Sequence, residues 1–308
     1  MGGKFRLVIL CSEDRSDLFF ANKLAERFDP VGIFVESQRA NPSAESLLQK
    51  YLRLAKAPHQ IPRKIFNRIA EQTWRKNALY NRSEHKTDFG EAGRRILEAD
   101  KHNVIFTTGA NRINAPEYIE RLREMRPDLV VVCGASILGD EFLSVPKFGV
   151  LNLHGGLSQR YRGLFTTEWA VYNAEPEYVG GTVHFVAPGI DDGQIVYQGR
   201  PLIEANDSPN TLYEKVVHLG VEMMGAAIED LRDDRLAAVE LQQPGALYTR
   251  SMFTPQVLKE TWRQFERGVI SDYSKNKCKR DVPVIRGLIN EFEATSNLAK
   301  TSGRTEQN

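Results

Sequence analysis

The chain has 308 residues, 26% of them charged and 41% hydrophobic, with a formal net charge of +1. This is the composition of a globular protein long enough for one large α/β domain and an appendage. The charge balance supplies no field that would hold nucleic acid through phosphate contacts alone. The three cysteines, Cys11, Cys133 and Cys278, are too scattered for a disulfide framework or a zinc site. The first two fall in apolar runs, where free cysteine behaves as a small hydrophobe. The apolar run Leu7–Cys11 is too short for a signal-peptide core or a bilayer span. The expectation is therefore a soluble, cytoplasmic protein.

In chain order, Phe5–Leu10 reads as a buried strand, and Leu18–Phe28 as an amphipathic helix with Phe19, Leu24 and Phe28 on its apolar positions. Val31–Val35 and the shorter Val104–Phe106 are the next strands. Between them, residues 37–101 read as a helical, charged insertion. Arg63, Lys64, Arg68, Arg75, Lys76 and Arg82 there interleave with Ile65, Ile69 and Trp74. A solvated basic face is the plainer reading of that run, and a lid or anion-binding wall the sharper one. A helix over Glu117–Met125 stops at Arg126-Pro127, because the residue before proline avoids helical geometry. Asp128–Cys133, Phe148–Leu153, Thr182–Val186 and Gln194–Val196 are further strands. Strands alternating with helices predict a mainly parallel sheet covered on both faces. A long helix is expected over Pro209–Leu231, with Asp207 or Ser208 as N-cap and Pro209 in its first turn. One more helix follows over Thr254–Arg267, and the polar residues from Ser296 to Asn308 should fray. The expected division is a catalytic domain over 1–235, containing the 37–101 insertion, and a small C-terminal region over 236–308.

The informative segment runs from Leu151 to Gly163. Side chains two apart on a strand share a face, so Asn152 and His154 project together at the strand's C-terminal end, where open α/β sheets bind ligands. Gly155 and Gly156 allow a sharp turn and leave space for a substrate. In Gly189–Gly193 two carboxylates, Asp191 and Asp192, sit in a glycine-bounded turn after another strand. One carboxylate with a histidine and an asparagine suffices for acyl transfer to an amine. The amide can donate to an oxyanion, a contact worth roughly 3–4 kcal/mol where measured. The histidine can take the amine's proton or stabilise charge, and the carboxylate can orient it. Taken alone, either aspartate could instead be turn chemistry.

The ordered set Asn-x-His, Tyr-Arg-Gly and Gly-Ile-Asp-x-Gly, spread over Arg126 to Gly220, resembles the 10-formyltetrahydrofolate-dependent formyltransferases. That family includes enzymes acting on glycinamide ribonucleotide, methionyl-tRNA and amino sugars. The resemblance implies a Rossmann-like α/β fold, with 10-formyltetrahydrofolate as formyl donor. It places the catalytic residues at Asn152, His154 and Asp191. The donor pocket would be lined by Gly134, Ala135, Ser136, Ile137 and Leu138 and by Ala187, Gly189 and Ile190. Gly155, Gly156, Tyr161 and Arg162 would meet the acceptor. His184, sometimes present in relatives, is expected to pack or to support the site residues rather than to take part in the chemistry. Relatives commonly carry Ser-Leu-Leu-Pro after the histidine, whereas this chain has Gly156-Leu-Ser-Gln159. Direct attack of the amine is expected, with no covalent enzyme intermediate and no metal.

For the acceptor, Cys11-Ser-Glu-Asp-Arg-Ser16 lacks the glycine-rich phosphate loop of the glycinamide ribonucleotide enzymes. The C-terminal region reads as too small for the barrel with which methionyl-tRNA formyltransferases help to hold tRNA. The wording from Asn152 to Gly163, with Trp169 and Gly180–His184, is most similar to the amino-sugar branch, whose acceptors are nucleotide-linked amino sugars. Tyr161, Tyr178 and Tyr248 could stack on a base or sugar, and Arg162 could pair with an anionic acceptor or cap a loop. The alternatives are a hydroxylated amino acid, methionyl-tRNA, and a non-catalytic folate-binding sensor. A homodimer is admitted by the sequence but not required by it.

Overall fold

The computed structural model describes residues 4–37, 87–109, 111–187 and 189–285. Strands β1 (Leu7–Ser12), β2 (Gly32–Glu36), β3 (Val104–Phe106), β4 (Leu129–Cys133) and β5 (Val150–His154) run parallel, in spatial order 3-2-1-4-5. After β6 (Tyr161–Gly163), which leaves this sheet, β7 (Gly181–Phe185) and β8 (Ile195–Gly199) complete it beyond β5. β7 is antiparallel to β5, with Asn152 opposite His184 and His154 opposite Thr182. β6 pairs instead with β9 (Ala246–Tyr248) in a two-stranded parallel ribbon. The sheet is thus mainly parallel, as expected, with an antiparallel edge.

The strand pattern sorts side chains by face. Leu7, Ile9, Cys11, Leu129, Val131, Leu151, Leu153 and Val183 join the apolar cluster formed with helices α1 (Arg15–Phe28) and α5, described below. Val8, Leu10, Val130, Val132 and Val150 pack on the other face with Tyr118, Ile119, Leu122 and Met125 of helix α2 (Pro116–Met125), beside the short α3 (Asp140–Leu143). Both α1 and α2 end on a residue that precedes proline. Asp29 and Arg126 cannot continue the right-handed turn there, and both take the left-handed conformation, at φ 47° and 44°.

Helix α4 (Thr166–Tyr172) follows β6, and α5 (Pro209–Arg232) follows β8. Ser208 caps α5 in a capping box with Thr211, and Pro209 occupies the first turn. The other cap candidate, Asp207, instead accepts from the Thr211 hydroxyl at 2.9 Å and from Lys215 at 2.7 Å.

Two of the expectations change. The insertion lies mostly outside the described residues, including all of its interleaved arginines and lysines. Its described end, residues 87–101, is a 3-10 turn at Gly90–Gly93 followed by loops rather than α-helix. Asn22 of α1 explains this: its amide binds the carbonyls of Ala92 and Arg95 and the N–H of Leu97 at 2.7–2.9 Å, pinning backbone groups that a helix would have to pair internally. The C-terminal region carries two helices where one was expected, α6 (Pro255–Glu266) and α7 (Val269–Arg280). Gly268, at φ 86°, permits the break between them. Ile270 and Tyr273 of α7 share an apolar cluster with Tyr161, Trp169, Leu212 and Val216, so this region is packed onto α4 and α5. Among the described residues no helix is long and apolar enough to cross a membrane. The expected fraying after Ser296 lies outside the described residues.

Candidate active site

β5 is apolar on both faces until Leu151, and then the face that carries α2 turns polar. Asn152 and His154 project there, and the register places His184 and Thr182 of β7 beside them on the same face. The turn after β7 delivers the carboxylate. Because β7 runs against β5, that turn leaves the sheet at the edge opposite the C-terminal end of β5 and folds back over the polar face. The 134–138 loop follows the C-terminal end of β4 and the 187–191 loop that of β7, so the reversal of β7 sets the two loops at opposite edges of the sheet.

Asp191 is the centre of the cluster. Its Oδ2 lies 3.2 Å from His154 Nδ1 and accepts the Gly163 N–H at 2.8 Å. Its Oδ1 lies 3.4 Å from both His184 Nε2 and Asn152 Nδ2. Asn152 Nδ2 is also 3.2 Å from His184 Nε2. His154 Nε2 lies 2.9 Å from the Tyr161 carbonyl, so both ring nitrogens face oxygen acceptors. Burial pushes the Asp191 pKa up. The charge on His154, the hydrogen bond and charge of His184 and the Gly163 N–H outweigh it and hold the carboxyl well below the usual carboxylate range. Asp192 points elsewhere, its Oδ2 3.6 Å from Arg162.

The glycines here are required by contacts. A Cβ on Gly193 would lie 1.8 Å from the Phe185 carbonyl oxygen, and one on Gly163, at φ 89°, 2.1 Å from the Tyr248 carbonyl oxygen. A Cβ on Gly156 would meet His154 Nε2 at 2.8 Å, so the space it leaves is filled by the ring. Only Gly155 keeps an open side, its nearest neighbour being Thr166 Oγ1 at 3.9 Å.

The residues expected to meet the acceptor divide. Tyr161 is 1% exposed; its hydroxyl donates to Glu175 at 2.6 Å and its ring stacks on Tyr248 at 5.5 Å. Tyr178 meets Tyr161 edge-on, so these rings pack on one another instead of presenting a stacking face. Arg162 is spent on the protein: Nε donates to the Gly245 carbonyl at 2.9 Å and Nη1 to the Ile190 carbonyl at 3.1 Å. Of the donor-pocket candidates, Ile137 is 74% exposed and Ile190 38%. Ala135 and Leu138 pack against the α2-side cluster, and Ala187 is half-buried. Gly134 abuts the Asp17 carboxylate, and Gly189 that of Asp192. The Ser136 N–H is taken by buried Glu36 at 2.7 Å, and the Ile137 carbonyl by Asn114 at 2.8 Å. Those two backbone groups are therefore committed inside the protein.

His184, expected to pack or to support the site rather than take part in the chemistry, meets two of the three predicted residues. Its signal was the alternation Thr182-x-His184 on an apolar strand, the same pattern that singled out Asn152 and His154. The Tyr161 carbonyl and Gly163 N–H had no side-chain signal at all.

The polar end of β5 in this mainly parallel sheet thus gathers an asparagine, two histidines and a carboxylate. The formyl transferase family model matches residues 59–228, more than half of the 308, and the chain belongs to that family. Methionyl-tRNA formyltransferase from Caldanaerobacter subterraneus is 32% identical over 136 residues, 44% of each chain. The enzyme of that name from Thermotoga maritima is 30% identical over 209 residues, 68% of this chain and 61% of its own. The chain spans about half the length of the first curated relatives it matches. A solved structure from Mycobacterium tuberculosis, named for an expected sugar N-formyltransferase activity, shares the fold. Its TM-score is 0.50 at 15% identity, over 81% of this chain and 77% of its own.

Proposed function

We propose that this protein transfers a formyl group from 10-formyltetrahydrofolate to the amine of a small acceptor, by direct attack on the formyl carbon through a tetrahedral intermediate. One observation carries the reading: in a chain of the formyl transferase family, Asn152, His154 and Asp191 converge within 3.4 Å at the end of β5. The side chains meeting Asp191 are an amide and two imidazoles, with no hydroxyl or thiol among them. That set fits a carrier that brings the formyl group already activated and passes it on directly.

In this reading the Asn152 amide and the His154 ring stabilise negative charge growing on the formyl oxygen. Asp191 orients that ring. The proton lost by the attacking amine leaves through the His154–Asp191 pair, and one is returned to the departing nitrogen of the carrier. The exposed Ile137 and Ile190 supply apolar surface on the two loops assigned to the donor.

The acceptor we favour is a nucleotide-linked amino sugar, on the wording of Asn152–Gly163. Methionyl-tRNA is the second reading, favoured by the names of the relatives at 30–32% identity. Calorimetry with 5-formyltetrahydrofolate tests the donor, and a formyl-transfer assay over amino sugars, hydroxylated amino acids and methionyl-tRNA tests the acceptor. Micromolar carrier binding and turnover of one sugar are expected. Turnover of methionyl-tRNA alone would replace the acceptor, carrier binding without turnover of any acceptor would leave the sensor reading, and absence of carrier binding would overturn the folate-dependent reading.

A further inference from the structure

Asp191 holds its carboxylate in the cluster only through an uncommon backbone. Its φ is 51°, in the left-handed region that disfavours a residue with a Cβ, and such a conformation persists only where the surroundings over-determine it. Two of the determinants are the contacts of its own carboxylate. The third is the peptide that joins Ile190 to Asp191, whose orientation is coupled to that φ. The carbonyl of this peptide is held by Arg162 Nη1 at 3.1 Å. The same nitrogen lies 3.6 Å from the carboxylate of Asp192, on the other side of Asp191.

Arg162 is itself anchored from the C-terminal chain. Its Nε donates to the Gly245 carbonyl at 2.9 Å, and its side chain is only 17% exposed. The Gly245 N–H in turn binds the Ser158 carbonyl at 2.9 Å, and the Ala246 N–H the Arg160 carbonyl at 3.1 Å. A Cβ on Gly245 would stand 2.2 Å from the carbonyl carbon of Arg160, so the two chains touch backbone to backbone. One planar guanidinium therefore spans three segments: β6, the Asp191 turn and the approach to β9. A lysine has no fork with which to do this.

We propose that Arg162 is the positioning residue for Asp191, and that through Gly245 it makes the C-terminal chain a structural part of the catalytic site. The proposal rests on the formyltransferase reading for its kinetic consequence, but not for its structural one.

The test combines two readouts on the full chain. In 15N-histidine-labelled protein, Arg162→Met is expected to move the His154 Nδ1 resonance toward its position in Asp191→Asn. Gly245→Ala should move it the same way, and Arg162→Lys part of the way. In the transfer assay, Arg162→Met should lower kcat by at least about tenfold, with the KM for the carrier changed less than about twofold. Added guanidinium at millimolar concentration should restore part of the rate to Arg162→Met and none to Asp191→Asn. A folded Arg162→Met or Arg162→Lys protein with an unshifted His154 resonance would overturn the proposal. Should the wild type transfer no formyl group to any acceptor, the functional reading fails while the resonance comparison still decides the role of Arg162.

Discussion

Asn152 on β5 and His184 on β7 are register partners where the sheet turns antiparallel, and their side-chain nitrogens lie 3.2 Å apart. A parallel neighbour in that place would have reached the end of β5 with its own C-terminus. The reversed strand brings a mid-strand histidine there instead and sends the following turn back over the face, with Asp191 on it. His184 Nδ1 lies 2.8 Å from the Phe185 carbonyl, which fixes the ring so that Nε2 faces Asn152 and Asp191. His184→Ala should therefore lower kcat by about tenfold or more at saturating donor, with little change in carrier affinity. A rate within twofold of wild type would return His184 to a packing role.

The two adjacent carboxylates should differ sharply. Asp191→Asn removes the charge that orients His154 and should cost about 10²–10⁴-fold in kcat/KM. Asp192→Asn removes only a 3.6 Å contact with Arg162 and should cost less than about tenfold. Parallel kinetics of the two variants decide the matter, and equal losses would refute the assignment of Asp191.

Asp17 predicts a pH dependence of stability. Burial raises its pKa from 3.8 to about 6, against hydrogen bonds from Ser12 and Ser16 and with the nearby charge of Asp14. The folded value lies above the unfolded one, so the folded protein binds the proton more tightly. The associated stability is full below about pH 4 and is lost as pH rises through 6, to a total of roughly 3 kcal/mol at most. Asp191, with its depressed value, loses its contribution only at pH values below this window. Asp17→Asn should flatten the fall in Tm between pH 4 and 7. A wild-type Tm that rises across that interval would contradict this.

Gly163 has two reasons to be glycine, its φ of 89° and the Tyr248 oxygen 2.1 Å from where a Cβ would sit. Gly163→Ala should cost at least about 2 kcal/mol in denaturant unfolding. By pushing β6 from β9 it should also weaken the N–H bond to Asp191. A variant of wild-type stability would show that the ribbon yields easily.

Tyr161→Phe checks the reassignment of that ring. Its hydroxyl binds Glu175 and receives a hydrogen bond from Asn173 at 2.9 Å, so about 1 kcal/mol of stability should be lost. Acceptor KM should not change, and a clear rise in it would restore the ring to the acceptor site.

The sequence by itself determined the alternation of strands and helices, the polar pair on β5 and the glycine-bounded acidic turn. Each of these is local: periodicity, a strand's two faces, and the backbone freedom of glycine are set by neighbours a few residues apart. It also singled out Asp191 over Asp192 by resemblance. Only the tertiary structure decided the direction of β7, since an apolar strand reads the same whichever way it runs. It decided that His184 lies against Asn152 and Asp191, that Tyr161 is buried, and that Arg162 binds the Ile190 and Gly245 carbonyls. The surroundings of Tyr161 and Arg162 depend on Gly245, Glu175 and Ile190, which lie 14 to 83 positions away in the chain. Pairings across such separations are made by the packing of β6 against β9 and of α4 against α6, and no short stretch of sequence encodes them.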